Sequence, residues 1–171
     1  DEPAYFDALA DDLVSRFKIR RSQIFVAGFS SCAMMTGILH AIAGTDLPVL
    51  LRFPVRFEAN PQDMPTGPVN LIHYHGKSDP VVPLDGRSIK DAHQGNVFHA
   101  IDLVRQQGGY QPVESESTPS LECSKWEDKN MHVLELCLFD GKHSLKIKHL
   151  LRALQLFLKD EMLHDRLPQL S

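Results

Sequence analysis

Three residues of this chain, Ser30, Asp79 and His143, are of the types that together carry out nucleophilic catalysis. A serine hydroxyl is a poor nucleophile at neutral pH, so it needs a base within hydrogen-bond reach. Histidine supplies that base, and a carboxylate fixes the imidazole tautomer and stabilises the imidazolium that forms. The three residues occur in the order Ser, Asp, His, and each follows a short apolar run. The pattern therefore predicts a serine nucleophile with a His143 base and an Asp79 orienting group.

Ser30 lies in the segment Gly28-Phe29-Ser30-Ser31-Cys32, between an apolar run and a predicted helix. Residues 24–27 are suited to a strand buried on both faces, and residues 33–40 read as a helix. This layout is close to the nucleophile elbow, the Gly-x-Ser-x-Gly turn that raises a serine hydroxyl above the edge of a parallel sheet, with Cys32 at the last position. In such a turn the backbone N–H of Ser31 would donate to the developing oxyanion. The alternative is an ordinary strand-to-helix turn that happens to contain serines.

Asp79 and His143 also follow apolar runs, at residues 69–72 and 134–139. Open α/β sheets bind ligands at the carboxyl ends of their strands, so the two residues are expected at the same edge as Ser30. On its own, Asp79 would be read as a turn-forming residue before Pro80. Asp140 is the second candidate for the acid, but it is only three residues from His143.

Three segments resemble the secreted polyhydroxybutyrate depolymerase and feruloyl esterase group of the α/β-hydrolases: residues 28–35, 75–83 and 141–144. Residues 5–13 are similar to the helix that precedes the elbow in that group, and the resemblance covers roughly residues 1–145. It implies a mostly parallel sheet flanked by helices in a single domain over 1–171, without the N-terminal strands of the family. It also implies a secreted esterase that uses Ser30, Asp79 and His143, with Ser31 at the oxyanion site.

The chain departs from this group at Cys32, where the family has glycine, and before residue 1, where the family carries the loop that completes the oxyanion hole. The resemblance implies a missing neighbour for the elbow strand, so we expect an upstream segment or a second copy of the chain to cover that edge. The substrates implied are hydroxyalkanoate oligomers, or feruloyl and acetyl esters on polysaccharides. A catalytically degenerate hydrolase that only binds is the main alternative, and a thiol hydrolase using Cys32 is a weaker one.

Other potential sites have competing explanations. Cys123 and Cys137 are spaced so that neighbouring segments could be bridged, and the resemblance to a secreted group favours a disulfide between them over buried free thiols. His73 and His75 lie two residues apart on a predicted strand, a spacing that can bind metal, but no third ligand is placed by spacing. We therefore predict no metal and no cofactor.

The composition excludes several classes of protein. The chain has 171 residues, of which 43% are hydrophobic and 23% are charged, which is enough for one globular core. The net charge of −4 gives no reason to expect nucleic acid or an anionic membrane as a partner. No apolar run approaches the roughly 18 residues of a membrane span. Because the chain opens at Asp1 on a helix start and without an initiator methionine, we expect a mature, processed or trimmed chain whose targeting segment is not shown.

The hydrophobic pattern of the rest of the chain predicts the helices and strands that flank the three candidate residues. Helices are expected over residues 3–17, 91–107 and about 145–164, and strands over 49–57 and 69–75. Residues 60–68 hold three prolines and a glycine and are expected to form a loop. Residues 111–120 are polar and could form an edge strand or a loop.

Overall fold

The computed structural model describes residues 2–30, 32, 49–51, 67–90 and 92–164. These residues form three α-helices and eight strands. The helices are α1 (Glu2–Phe17), α2 (Val97–Gly108) and α3 (Ile147–His164). The strands are β1 (Val26–Gly28), β2 (Val49–Leu51), β3 (Leu71–Gly76), β4 (Arg87–Ile89), β5 (Ala92–Gln94), β6 (Gln111–Val113), β7 (Leu121–Glu127) and β8 (Val133–Phe139).

Six strands form one mixed sheet in the order β1-β2-β3-β8-β7-β6, and β4 and β5 form a separate hairpin. The pairings β1–β2, β2–β3 and β3–β8 are parallel, while β8–β7 and β7–β6 are antiparallel. The predicted α/β class is confirmed. Within the described residues, β1 pairs only with β2 and stands at one edge of the sheet.

The central strand β3 is buried along its whole length, because apolar side chains and helices cover both faces of the sheet. Successive side chains of a strand point to opposite faces. Leu71 packs with Leu134 and Leu136 against α2, whereas Ile72 packs on the other face against α3. Helices therefore lie on the two faces of the sheet, and the core has two layers. The residues from these helices that complete it are Val97, Ala100, Ile101 and Val104 of α2 and Ala153 and Phe157 of α3.

The buried side chain of Tyr110 anchors the chain just before β3. Gly109 adopts φ 69° at the end of α2, in the left-handed region that glycine favours, and so turns the chain toward the sheet. The Tyr110 hydroxyl accepts a hydrogen bond from the Val69 N–H and donates one to the Val69 carbonyl. Burial raises the pKa of Tyr110 to about 12, so the hydroxyl keeps its proton as a donor even well above neutral pH.

Cys123 of β7 lies directly opposite Cys137 of β8, and the two form a disulfide with a Cα–Cα distance of 4.1 Å. The Cys123 N–H donates to Ser117 Oγ and its carbonyl accepts from Ser115 Oγ, so neither group bonds to β8. Such non-hydrogen-bonded pairs are the narrow ones in an antiparallel ladder, which suits a direct cross-strand bridge. The pairing predicted from the resemblance is confirmed.

An ion pair with a buried carboxylate joins α3 to β8. Arg152 donates from Nη1 and Nη2 to the two carboxylate oxygens of Glu135, at 2.6 and 2.9 Å. Arg152 Nη1 also donates to the Tyr74 hydroxyl at 3.0 Å. Glu135 is 1% exposed, and this bidentate contact compensates its charge. The sequence pattern did not predict this pair.

One expectation needs correction, and one strand was not predicted. The predicted helix over 91–107 begins only at Val97, because Ala92–Gln94 pairs with Arg87–Ile89 as a hairpin. Asn96 sets the start, since its side-chain oxygen accepts from the His99 N–H at 3.0 Å and caps the helix. Strand β7 was not predicted, although its buried and exposed residues alternate at the start.

The other predicted elements agree where they are described. Helix α1 covers the predicted 3–17, and α3 covers most of 145–164. In the polar segment 111–120, Gln111–Val113 forms an edge strand and the rest forms turns and a bridge. The predicted helix over 33–40, the strand beyond residue 51 and the loop over 60–66 lie outside the described residues. No helix in the described part of the chain combines the length and apolarity needed to cross a membrane.

Candidate active site

Ser30 lies at a sharp turn between β1 and a helical residue at Cys32. Its φ is 57°, in the left-handed region that non-glycine residues seldom adopt and that costs free energy. The Cys32 N–H donates to the Phe29 carbonyl at 3.2 Å, closing the turn around the serine. A strained turn from strand to helix is the backbone form expected of a nucleophile elbow.

Asp79 lies at the carboxyl end of β3, in a turn that its own side chain organises. Its Oδ1 accepts hydrogen bonds from the N–H groups of Val81 and Val82, both at 2.9 Å. Burial raises the pKa of Asp79, but the bonds from Val82, His143 and Val81 outweigh burial and hold it below its ordinary value. Asp79 therefore forms a turn before Pro80 and keeps a charged Oδ2 for a second partner.

His143, in the loop after β8, joins the other two residues. Its Nδ1 lies 2.7 Å from Asp79 Oδ2, and its Nε2 lies 3.0 Å from Ser30 Oγ. An ionised carboxylate only accepts, so Nδ1 carries a proton, and in the neutral imidazole Nε2 then accepts from the Ser30 hydroxyl. The Phe29 ring lies 4.9 Å from the imidazole, centroid to centroid, and supports it from one side. The predicted convergence of the three side chains is observed, and its geometry suits proton removal from Ser30.

Backbone contacts hold the Asp79 turn against the His143 loop. Lys77 N–H donates to the Phe139 carbonyl at 2.9 Å, and Ser78 N–H donates to the Gly141 carbonyl at 3.0 Å. At Gly76 a Cβ atom would stand 2.5 Å from the Lys142 carbonyl oxygen and 2.6 Å from that of Gly141. Glycine is therefore required at this position, because any side chain would push the two loops apart.

Asp140, the second candidate for the acid, has a different partner. Its carboxylate lies 3.2 Å from Lys77 Nζ, and its side chain is 70% exposed. The Nδ1 atom of His143 is bonded to Asp79 instead. Asp140 thus belongs to a surface ion pair beside the site.

A cavity of about 360 Å³ opens beside the elbow, between β1, the ends of β3 and β8, and the start of α3. Phe29 and Cys32, which flank the serine in sequence, form one wall, and Ser144, which follows His143, forms part of another. Most of the surface is apolar or aromatic. Residues that complete the cavity include Tyr74, Phe139, Leu145, His149 and Leu150. The Cys32 side chain is exposed and outside any disulfide.

Within the described part of the chain, the two histidines considered as metal ligands and the one cluster of potential ligands are engaged in other interactions. His73 Nε2 lies 3.0 Å from His75 Nδ1, and His75 Nε2 lies 2.8 Å from the Val82 carbonyl oxygen. Cys123, Glu135 and Cys137 form the one cluster of potential ligands in the described part of the chain. In that cluster both sulfurs belong to the disulfide and Arg152 neutralises the carboxylate.

Sequence reasoning missed several residues that support the site. The amides of Val81 and Val82 were not predicted, although an Asp before Pro is typical of a turn in which the carboxylate binds the following N–H groups. The packing of Phe29 on His143 had no sequence signal that we can name. Ser31, predicted as the oxyanion donor, lies outside the described residues.

Comparison with known proteins adds no family assignment. No protein-family model matches the chain, and no curated protein is significantly similar to it.

Proposed function

We propose that this protein is a serine hydrolase of carboxylic esters with an α/β-hydrolase-type fold. The observation that carries the proposal is the continuous set of hydrogen bonds Ser30–His143–Asp79, with Ser30 at φ 57°. The placement of all three residues after parallel strands of one sheet supports it as well. A turn that merely contained serines would have no reason to meet a buried aspartate through an imidazole.

The reaction follows from the roles of the three side chains. Ser30 Oγ attacks the ester carbonyl as His143 Nε2 takes its proton, and Asp79 stabilises the imidazolium through Nδ1. The tetrahedral intermediate collapses to an acyl-Ser30 enzyme when His143 returns the proton to the departing alcohol. Water activated by His143 then releases the acid. We assign the Ser31 N–H as one donor to the oxyanion, as in other elbows.

The substrate class rests on the sequence resemblance and on the site. The mostly apolar cavity beside the elbow would accept an acyl or alcohol group of modest size. Hydroxyalkanoate oligomers and feruloyl or acetyl esters of polysaccharides are the candidates. The Cys123–Cys137 disulfide is consistent with a secreted protein, since such bonds persist in oxidising compartments.

The test is labelling with a fluorophosphonate, followed by hydrolysis of a panel of esters. The purified protein, expressed from its natural reading frame, should be phosphonylated at Ser30 and should hydrolyse p-nitrophenyl butyrate. The panel then contains 3-hydroxybutyrate oligomers, a feruloylated oligosaccharide and an acetylated xylo-oligosaccharide. A preference of at least about tenfold in kcat/KM for one of these, or about 1.4 kcal/mol in transition-state binding, would assign the substrate class.

Two variants keep the result interpretable. Ser30→Ala should abolish labelling and turnover, while Cys32→Ala should retain both. Labelling that survives Ser30→Ala but disappears in Cys32→Ala would move the nucleophile to the thiol. Failure of the wild-type protein to react, with ester analogues still bound, would favour a catalytically degenerate binding protein, for which the cysteine in place of the elbow glycine is the motivating observation.

A further inference from the structure

Two buried histidines lie in β3, the strand that leads to Asp79. His73 and His75 alternate along β3, so both side chains point to the face of the sheet that α2 covers. Both are 0% exposed. Buried polar groups destabilise a fold unless they are hydrogen-bonded, so their contacts should account for their presence.

The contacts indicate which ring nitrogens between the two histidines donate and which accept. His75 Nε2 lies 2.8 Å from the Val82 carbonyl oxygen, which can only accept, so Nε2 carries a proton. In a neutral His75 ring, Nδ1 is then an acceptor, and His73 Nε2 donates to it at 3.0 Å. His73 thus selects the tautomer in which His75 donates toward Val82.

Val82 is the residue through which His75 reaches the catalytic carboxylate. Its carbonyl accepts from His75, while its N–H donates to Asp79 Oδ1 at 2.9 Å. His75 Nε2 also stands 3.8 Å from Asp79 Oδ2, the oxygen that accepts from His143. This distance is too long for a hydrogen bond, but it places the positive end of the His75 N–H dipole beside the carboxylate.

We propose that His75 is a positioning residue that holds the Asp79 turn in the geometry required by His143, with His73 setting its tautomer. The proposal rests on the proposed function, because it assigns His75 a role in that reaction. It gives a physical reason for two histidines on one face of a strand whose other buried side chains are Leu71, Ile72 and Tyr74. Apolar residues would fill the same space but would leave the Val82 carbonyl without its donor.

The test compares His75→Phe with His75→Gln in hydrolysis of p-nitrophenyl butyrate. Phenylalanine fills the space without a donor, so kcat should fall by about 10 to 100-fold, as expected when catalytic groups are displaced by up to an ångström. KM should change by less than about twofold, because His75 does not touch the substrate. Glutamine can donate from Nε2 and accept at Oε1, so it should restore most of kcat.

A matched control separates positioning from general destabilisation. Val104→Ala removes core volume from the same face of the sheet, where Val104 is 2% exposed. It should lower the melting temperature while leaving kcat unchanged at temperatures where the protein is folded. A kcat loss in Val104→Ala equal to that in His75→Phe, or a wild-type kcat in His75→Phe, would overturn the proposal.

A second readout does not depend on turnover. The hydrogen-bonded Nδ1 proton of His143, assigned by its loss in His143→Gln, should give a slowly exchanging, far-downfield NMR signal. We expect this signal in the wild-type protein and in His75→Gln, and its loss through exchange broadening in His75→Phe. If the wild-type protein hydrolyses no ester, the proposed function fails, whereas this signal still decides whether His75 positions Asp79. A signal that persists unchanged in His75→Phe would overturn the positioning role.

Discussion

Replacement of Asp79 by asparagine should reverse the tautomer of His143 while leaving the surrounding turn in place. The amide oxygen of the new side chain would stay at the Oδ1 position, because it accepts from the N–H groups of Val81 and Val82. The amide NH₂ would then face His143 Nδ1 and force that atom to accept. The imidazole proton moves to Nε2, which can then no longer take a proton from Ser30. The opposite orientation of the amide would set its NH₂ against two donors and lose both hydrogen bonds.

The size of the expected loss in kcat follows from the loss of His143 Nε2 as a base. In the serine protease that serves as the template for such triads, loss of the orienting aspartate lowers kcat by about 10⁴-fold. At about 1.36 kcal/mol for each tenfold change, this corresponds to about 5.4 kcal/mol of lost transition-state stabilisation. We expect a loss of about this size for Asp79→Asn, with KM changed little and the fold retained.

The assay is hydrolysis of p-nitrophenyl butyrate, with the rate of fluorophosphonate labelling as an independent measure of Ser30 reactivity. Asp140→Asn is the matched control, because Asp140 precedes the His143 loop but pairs with Lys77 at the surface. Its kcat should remain within about twofold of wild type, since exposed ion pairs contribute little. Retention of more than about a tenth of kcat in Asp79→Asn, or an equal loss in Asp140→Asn, would refute the assignment of the acid.

Three further predictions follow from contacts around the site. Gly76→Ala should lower kcat by at least about 10²-fold, because its methyl group would stand 2.5 and 2.6 Å from carbonyl oxygens of the His143 loop; a wild-type kcat would contradict this. Arg152→Met should lower the free energy of unfolding in urea by about 3–5 kcal/mol by leaving Glu135 buried without its partner, and adding Glu135→Leu should recover most of the loss. The pKa of Asp79 is lower in the folded protein than its ordinary value, so its contribution to stability is present above about pH 4 and is lost as the pH falls through the folded value. Unfolding measured from about pH 6 to about pH 2 should therefore show a shallower loss of stability in Asp79→Asn than in wild type, and equal slopes would count against the shift.

The residues of the candidate site could be predicted from the sequence because their types and their placement after apolar runs are local features. Ser30, Asp79 and His143 each follow an apolar run, and parallel strands bring their carboxyl ends to one edge. The elbow was predicted from Gly28 and the strand before it, which are local features. The start of α2 was predicted too early, because the Asn96 cap and the hairpin before it compete with a continuous apolar pattern.

The sequence by itself thus determined which groups are available and that they end strands of an α/β sheet. Only the tertiary structure decided that β8 lies beside β3, with Leu71 paired to Leu134 and Gly76 to Phe139 although they are far apart in the chain. That pairing joins the Asp79 turn to the His143 loop and makes Asp79, rather than Asp140, the partner of the imidazole. The tertiary structure also decided that His75 bonds to Val82 and that Arg152 neutralises Glu135. The physical reason is that hydrogen bonds and ion pairs between distant segments depend on which strands become neighbours in the sheet, and the pattern within one segment does not specify its neighbour.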